Sequence, residues 1–77
     1  MIRTYLSYLR GVKGRELVRK LRRLGVEVEP RRGKGGHVRV RYRGRLSVVP
    51  MHGDKDIGPN LVQAICKQLG LDPTSVL

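Results

Sequence analysis

Large aromatic rings are almost missing: the chain has no tryptophan, no phenylalanine and three tyrosines in 77 residues. Its core must therefore be built from Leu, Val and Ile, with Tyr at the margins. A chain of this length is expected to form one domain over residues 1–77, with 1–10 as an N-terminal extension of uncertain form. It buries only about 60% of the surface its unfolded form exposes, so the core is expected to be thin. The single cysteine, Cys66, excludes an intramolecular disulfide. Two histidines and one cysteine do not show zinc-ligand spacing, and no cofactor is expected. Long apolar runs are absent too. No stretch approaches the ~20 residues a transmembrane helix needs, and Met1-Ile2-Arg3-Thr4-Tyr5 lacks the apolar core of a secretory signal. A cytoplasmic protein without membrane association is expected. Acidic residues are scarce, 6 against 17 basic, for a formal charge of +11 and a pI near 11.2. That balance implies a polyanionic or acidic partner. Arginine outnumbers lysine, and its planar fork suits phosphate better than an ammonium does.

What is present resolves into short elements. Ile2, Tyr5, Leu6 and Leu9 follow helical spacing before Gly11 and Gly14 interrupt it; a short helix and an extended arm both remain open. Leu17, Val18, Leu21 and Leu24 form one apolar stripe, predicting a helix over 15–24 with Gly25 as a left-handed cap. Arg15, Arg19, Arg22 and Arg23 lie off that stripe. Val26 to Glu29 alternates and reads as a strand that Pro30 ends. Val38, Val40 and Tyr42 alternate with His37, Arg39 and Arg41 in a second strand. Leu46 to Pro50 makes a third. Pro59 suits the first turn of a second helix, with Leu61, Ala64, Ile65 and Leu69 as its expected apolar face and Gly70 after it. Asp72-Pro73 suits the cap of one further turn.

The register of the hairpin can be argued from pairing. A two-residue turn at Arg43-Gly44 sets Val40 opposite Ser47 and Arg41 opposite Leu46. A three-residue turn sets Tyr42 opposite Leu46 and Val40 opposite Val48. Directly paired residues share a face, so the second register matches apolar with apolar and is the expected one. His37, Arg39, Arg41, Ser47 and Val49 would then face away from the core, joined by Glu27 and Glu29. The whole is an α+β fold: a three-stranded antiparallel sheet with two helices on one face, α-β-β-β-α in order.

Gly33 to Arg41 carries the chemistry. Gly35 and Gly36 let the backbone approach a ligand closely, successive amides in such a turn can cradle a phosphate, Lys34 adds a cation, and His37 can exchange a proton near neutral pH. A histidine opening a strand is usually an ordinary surface residue; the glycines and basic surroundings point instead to a phosphodiester. Asp54 and Asp56 are better read as a charged turn than as a magnesium site, and Cys66 as packing rather than a nucleophile.

Three segments resemble the HicA (YcfA-like) mRNA interferase toxins of toxin–antitoxin systems. They are Gly14-Arg15-Glu16-Leu17 leading to Leu24-Gly25; Lys34-Gly35-Gly36-His37; and Val49-Pro50-Met51-His52 with Lys55-Asp56-Ile57 and Ile65-Cys66-Lys67-Gln68-Leu69-Gly70-Leu71. Together they cover roughly residues 11–71. The resemblance implies a double-stranded-RNA-binding-domain fold and an endoribonuclease that needs no metal, with His37 as its catalytic residue. Lys34, Gly35, Gly36, Arg31, Arg32, Arg39 and Arg41 would bind RNA, and His52 and Lys55 are secondary candidates. It also implies mRNA as substrate and a HicB-like antitoxin as partner. Two positions depart from the family pattern: Gly36 stands where a serine is frequent, and Lys13 replaces a serine that would cap the helix. The rival expectation is a non-catalytic RNA-binding module of the same fold. Arg39 and Arg41 are as well explained by pairing with Glu27 and Glu29 as by RNA contact.

Overall fold

The computed structural model describes residues 11–29, 36–51 and 56–76. In order they form β1 (Val12–Lys13), α1 (Gly14–Arg23), β2 (Glu27–Val28), β3 (His37–Tyr42), β4 (Arg45–Pro50), β5 (Asp56–Ile57) and α2 (Pro59–Leu69), then a 3-10 turn, Pro73–Ser75. The main sheet is antiparallel in the order β2-β3-β4, and both helices pack on its inner face. This is the α-β-β-β-α arrangement expected. A second two-stranded pair, β1 with β5, was not legible in the sequence. Its register sets Lys13 against Asp56, and their side chains meet at 3.1 Å.

Leu17, Val18 and Leu21 of α1 are buried. Leu24 is half-buried against the same core. Gly25 takes φ 92°, the left-handed cap expected of it. Lys13 makes no side-chain cap bond, as the loss of a serine there implies. The second helix is rotated from expectation. Val62, Ile65, Cys66 and Leu69 are buried, while Leu61 and Ala64 face outward. Both sets have helical spacing, and the choice falls to the set that includes the small Cys66, which packs fully into the thin core.

The hairpin corrects the expected register. Val40 pairs with Ser47, Arg41 with Leu46 and Tyr42 with Arg45, across a two-residue turn. Arg43 and Gly44 have φ of 49° and 80°. Positive φ at both positions is the turn whose twist matches that of the flanking strands. Ser47 and Val49 are therefore buried, not outward, and Leu46 and Val48 are exposed. The Ser47 hydroxyl donates to Oε1 of Gln68 on α2, which removes the usual penalty for a polar group in the core. Apolar matching pointed to the other register; turn geometry and one hydrogen bond decide this one.

Candidate active site

His37 opens β3 on the outer face of the sheet, exposed and directly opposite Pro50. Arg39 and Arg41 follow on the same face at about 7 Å steps. Glu27 stands opposite Arg41. The Glu29 amide donates to the Arg39 carbonyl at 2.9 Å, and Arg39 Nε lies 3.8 Å from Glu29 Oε2. The cross-strand ion pairing weighed from the sequence is thus present for Arg39, worth about 0–1 kcal/mol at such exposure. Arg39 and Arg41 each stand across from a glutamate. The excess positive charge must lie elsewhere.

Much of it lies on α1. Arg15, Arg19 and Arg22 recur at i, i+4 and i+7 and border a hollow of about 330 Å³. Its other walls include Val38, Met51 and Glu29, which places the arginine row at the His37 end of the sheet. The sequence spacing showed this row; only the fold shows where it points.

Gly14 explains why the elements converge. A Cβ there would overlap the Pro50 carbonyl oxygen and lie 2.8 Å from Met51 Sδ. The first residue of α1 is therefore packed directly on the end of β4. The Met51 amide in turn donates to the Gly36 carbonyl, one residue before His37. One chain of contacts, Gly14 to Pro50–Met51 to Gly36, ties the helix start to the strand end that carries the histidine. The sequence singled out Gly14 as part of a resemblance but gave no physical reason for it.

Of the other candidates, Arg31, Arg32, Lys34, Gly35, His52 and Lys55 lie outside the described residues, as do residues 1–10, whose form was left open, and Asp54. Asp56 is engaged by Lys13. Among the described residues no group of three His, Cys, Asp or Glu side chains is placed to hold a metal ion. Cys66 is buried, and burial, with the Asp72 charge second, pushes its thiol above the ordinary value. It is packing, not a nucleophile. Among the described residues no helix is long and apolar enough to cross a membrane.

These features define a class: a small, strongly basic α+β domain of the double-stranded-RNA-binding arrangement, with a histidine at the open end of its hairpin. The family profile described as the HicA toxin of bacterial toxin-antitoxin systems matches residues 14–71. A probable mRNA interferase HicA of Pseudomonas fluorescens (strain Pf0-1) is 43% identical over 60 residues, covering 78% of this chain and 97% of that protein. The probable mRNA interferase HicA 1 of Photorhabdus laumondii subsp. laumondii is 40% identical over 60 residues, 78% of this chain and 100% of that one. No solved structure matches. The chain belongs to the HicA toxin family.

Proposed function

We propose that this toxin acts by cutting RNA, as the names of its relatives say of them, with His37 as general base. The imidazole takes the proton of a ribose 2′-hydroxyl, and that oxygen attacks the adjacent phosphorus. The bond to the 5′-oxygen breaks, that oxygen leaves with a proton from water, and the products are a 2′,3′-cyclic phosphate and a 5′-hydroxyl. The observation that carries the reading is position: an exposed histidine beside a glycine, at the same end of the sheet as the hollow that the α1 arginines border on the other face. Cations there favour the charged phosphorane over the ground state. Lys34, Gly35, Gly36, Arg31 and Arg32 are proposed to hold the phosphates. Arg39 and Arg41 would extend the track, in competition with their glutamates. His52 and Lys55 remain secondary candidates. The chemistry asks for no metal ion. A HicB-like antitoxin is the proposed protein partner, and the basic surface suits an acidic one.

The test is His37→Ala. A positioned base contributes about 10²–10⁴-fold, so cleavage should fall by that much while RNA affinity and its salt dependence persist. Excess EDTA should leave the wild-type rate unchanged. Retained cleavage in the variant favours a non-catalytic role for His37 and the RNA-binding reading; loss in chelator, restored by magnesium, overturns the metal-free mechanism.

A further inference from the structure

The large apolar side chains left exposed among the described residues gather around one groove. Leu46 is 47% exposed, Val48 43% and Leu61 43%. All three line a hollow of about 510 Å³ between β4 and α2, with Ala64 and Gln68 on the helix side and Arg39 at the sheet side. Single exposed apolar residues need no explanation, whereas a convergence of them marks a contact surface.

The backbone of β4 adds a second, independent observation. β4 is the outer strand of the sheet, and among the described residues no strand pairs with it on its far side. The Met51 amide bonds the Gly36 carbonyl, which makes residues 36 and 51 a hydrogen-bonded pair. Such pairs alternate along an antiparallel ladder. With the register of the hairpin, the N–H and C=O of Ser47 and Val49 turn toward β3. Those of Leu46 and Val48 turn outward. The same two residues thus offer apolar side chains and outward-facing main-chain donors and acceptors. Proteins ordinarily blunt such an edge with charge, bulges or proline; here Arg45 stands at one end of β4 and Pro50, which has no N–H, closes the row at the other, leaving Leu46 to Val48 open.

We propose that the β4–α2 groove receives an extended segment of an acidic protein partner, added to the sheet as a fourth strand. Its apolar side chains lie beside Leu46 and Val48 on the outer face, and its carboxylates complement the surplus of cations on the domain. Charge selects the occupant. A second copy of the chain would set +11 against +11. An RNA strand has no peptide groups to complete a ladder and little to place on leucine and valine. An acidic, partly apolar polypeptide meets all three features. The proposal rests on the toxin reading only in naming the owner of that segment as the antitoxin. Val48 stands opposite Arg39, two residues along from the His37–Pro50 pair, about 7 Å. A strand bound there runs past Pro50, with β4 between it and His37, about 10 Å away by strand spacing.

The experiment is an NMR titration of the full chain with a synthetic peptide of alternating glutamate and valine, read by chemical shift and amide exchange. The Leu46 and Val48 amides should gain protection. Val48→Pro removes an outward-facing N–H together with the valine side chain, and leaves the β3–β4 hydrogen bonds intact, a position where an edge strand tolerates proline. Leu61→Asp alters the opposite wall and leaves β4 untouched. Each should weaken the peptide about tenfold or more, with RNA affinity and cleavage unchanged. Shifts confined to the α1 arginines would overturn the proposal. So would concentration-dependent self-association through this groove, or RNA protecting the Leu46 and Val48 amides. Peptide binding without RNA cleavage leaves the groove standing and removes the catalytic reading; cleavage without peptide binding does the reverse.

Discussion

The two helices pack on the same sheet face yet turn different chemistry outward. α1 exposes Arg15, Arg19, Arg22 and Arg23, with Glu16 the one acid in its first turn. α2 has no acid in its first turn, one lysine in its last, and leaves Leu61 and Ala64 outside. Their starts differ as well. Gly14 is pressed against Pro50, whereas Gly58, which precedes α2, has nothing within 4 Å of where a Cβ would stand. One helix starts packed against the end of β4 and turns arginines outward. The other is anchored by its core face and presents an apolar margin. A charged helix surface and an apolar one on the same small domain suggest two kinds of partner reached from two sides.

The largest expected effect concerns which face of α2 is structural. Ile65→Ala should cost about 2–5 kcal/mol, because a fully buried side chain leaves a cavity. Leu61→Ala should stay within about 0.5 kcal/mol. Chemical denaturation of both variants measures this, and equal losses would contradict the observed rotation of the helix. Next come the helix starts. Gly14→Ala forces the helix off Pro50 and should cost about 1–3 kcal/mol, a fall in Tm of roughly 4–8 °C per kcal/mol for a domain of this size. Cleavage should fall with it, because Met51 and Gly36 move too. Gly58→Ala should be neutral or stabilising by up to about 1 kcal/mol. Similar melting curves for the two would mean that α1 is not locked at its first residue.

A smaller effect separates the outer surfaces. Arg15→Gln, Arg19→Gln and Arg22→Gln should each reduce the slope of log affinity for single-stranded RNA against log salt by about 0.7 where the residue meets a phosphate. Lys67→Gln on α2 should leave that slope alone. Equal slopes across the four variants would erase the distinction between the helices. The smallest effect lies just past α2. The Asp72 side chain accepts from the Thr74 amide and hydroxyl, and those bonds hold its carboxyl below the usual value. A depressed folded value means the carboxylate stabilises the fold above its unfolded pKa, and that contribution disappears as pH falls through the folded one. The Tm gap between wild type and Asp72→Ala should thus be full at neutral pH and close in acid. A gap that persists below the carboxylate range would show that packing, not charge, makes the cap useful.

Local patterns carried the parts of this protein that depend on nearby residues. The stripe Leu17-Val18-Leu21 located α1, alternation located β3, Gly25 and Gly70 marked the helix ends, and charge alone pointed to a polyanion. Each rests on forces that act within one element. Where two solutions were locally equal, the sequence could not choose. The faces Leu61-Ala64-Ile65 and Val62-Ile65-Cys66 both have helical spacing, and both hairpin registers offered plausible pairs. Those choices belong to the tertiary structure, because they turn on what lies opposite: Gln68 waiting for the Ser47 hydroxyl, the core space that admits Cys66, the Pro50 carbonyl that leaves room only for glycine at 14. The β4–α2 groove is a product of the same choices. Leu46 and Val48 read as core in one register and as surface in the other, so this edge exists only once the turn at Arg43-Gly44 has closed on two residues.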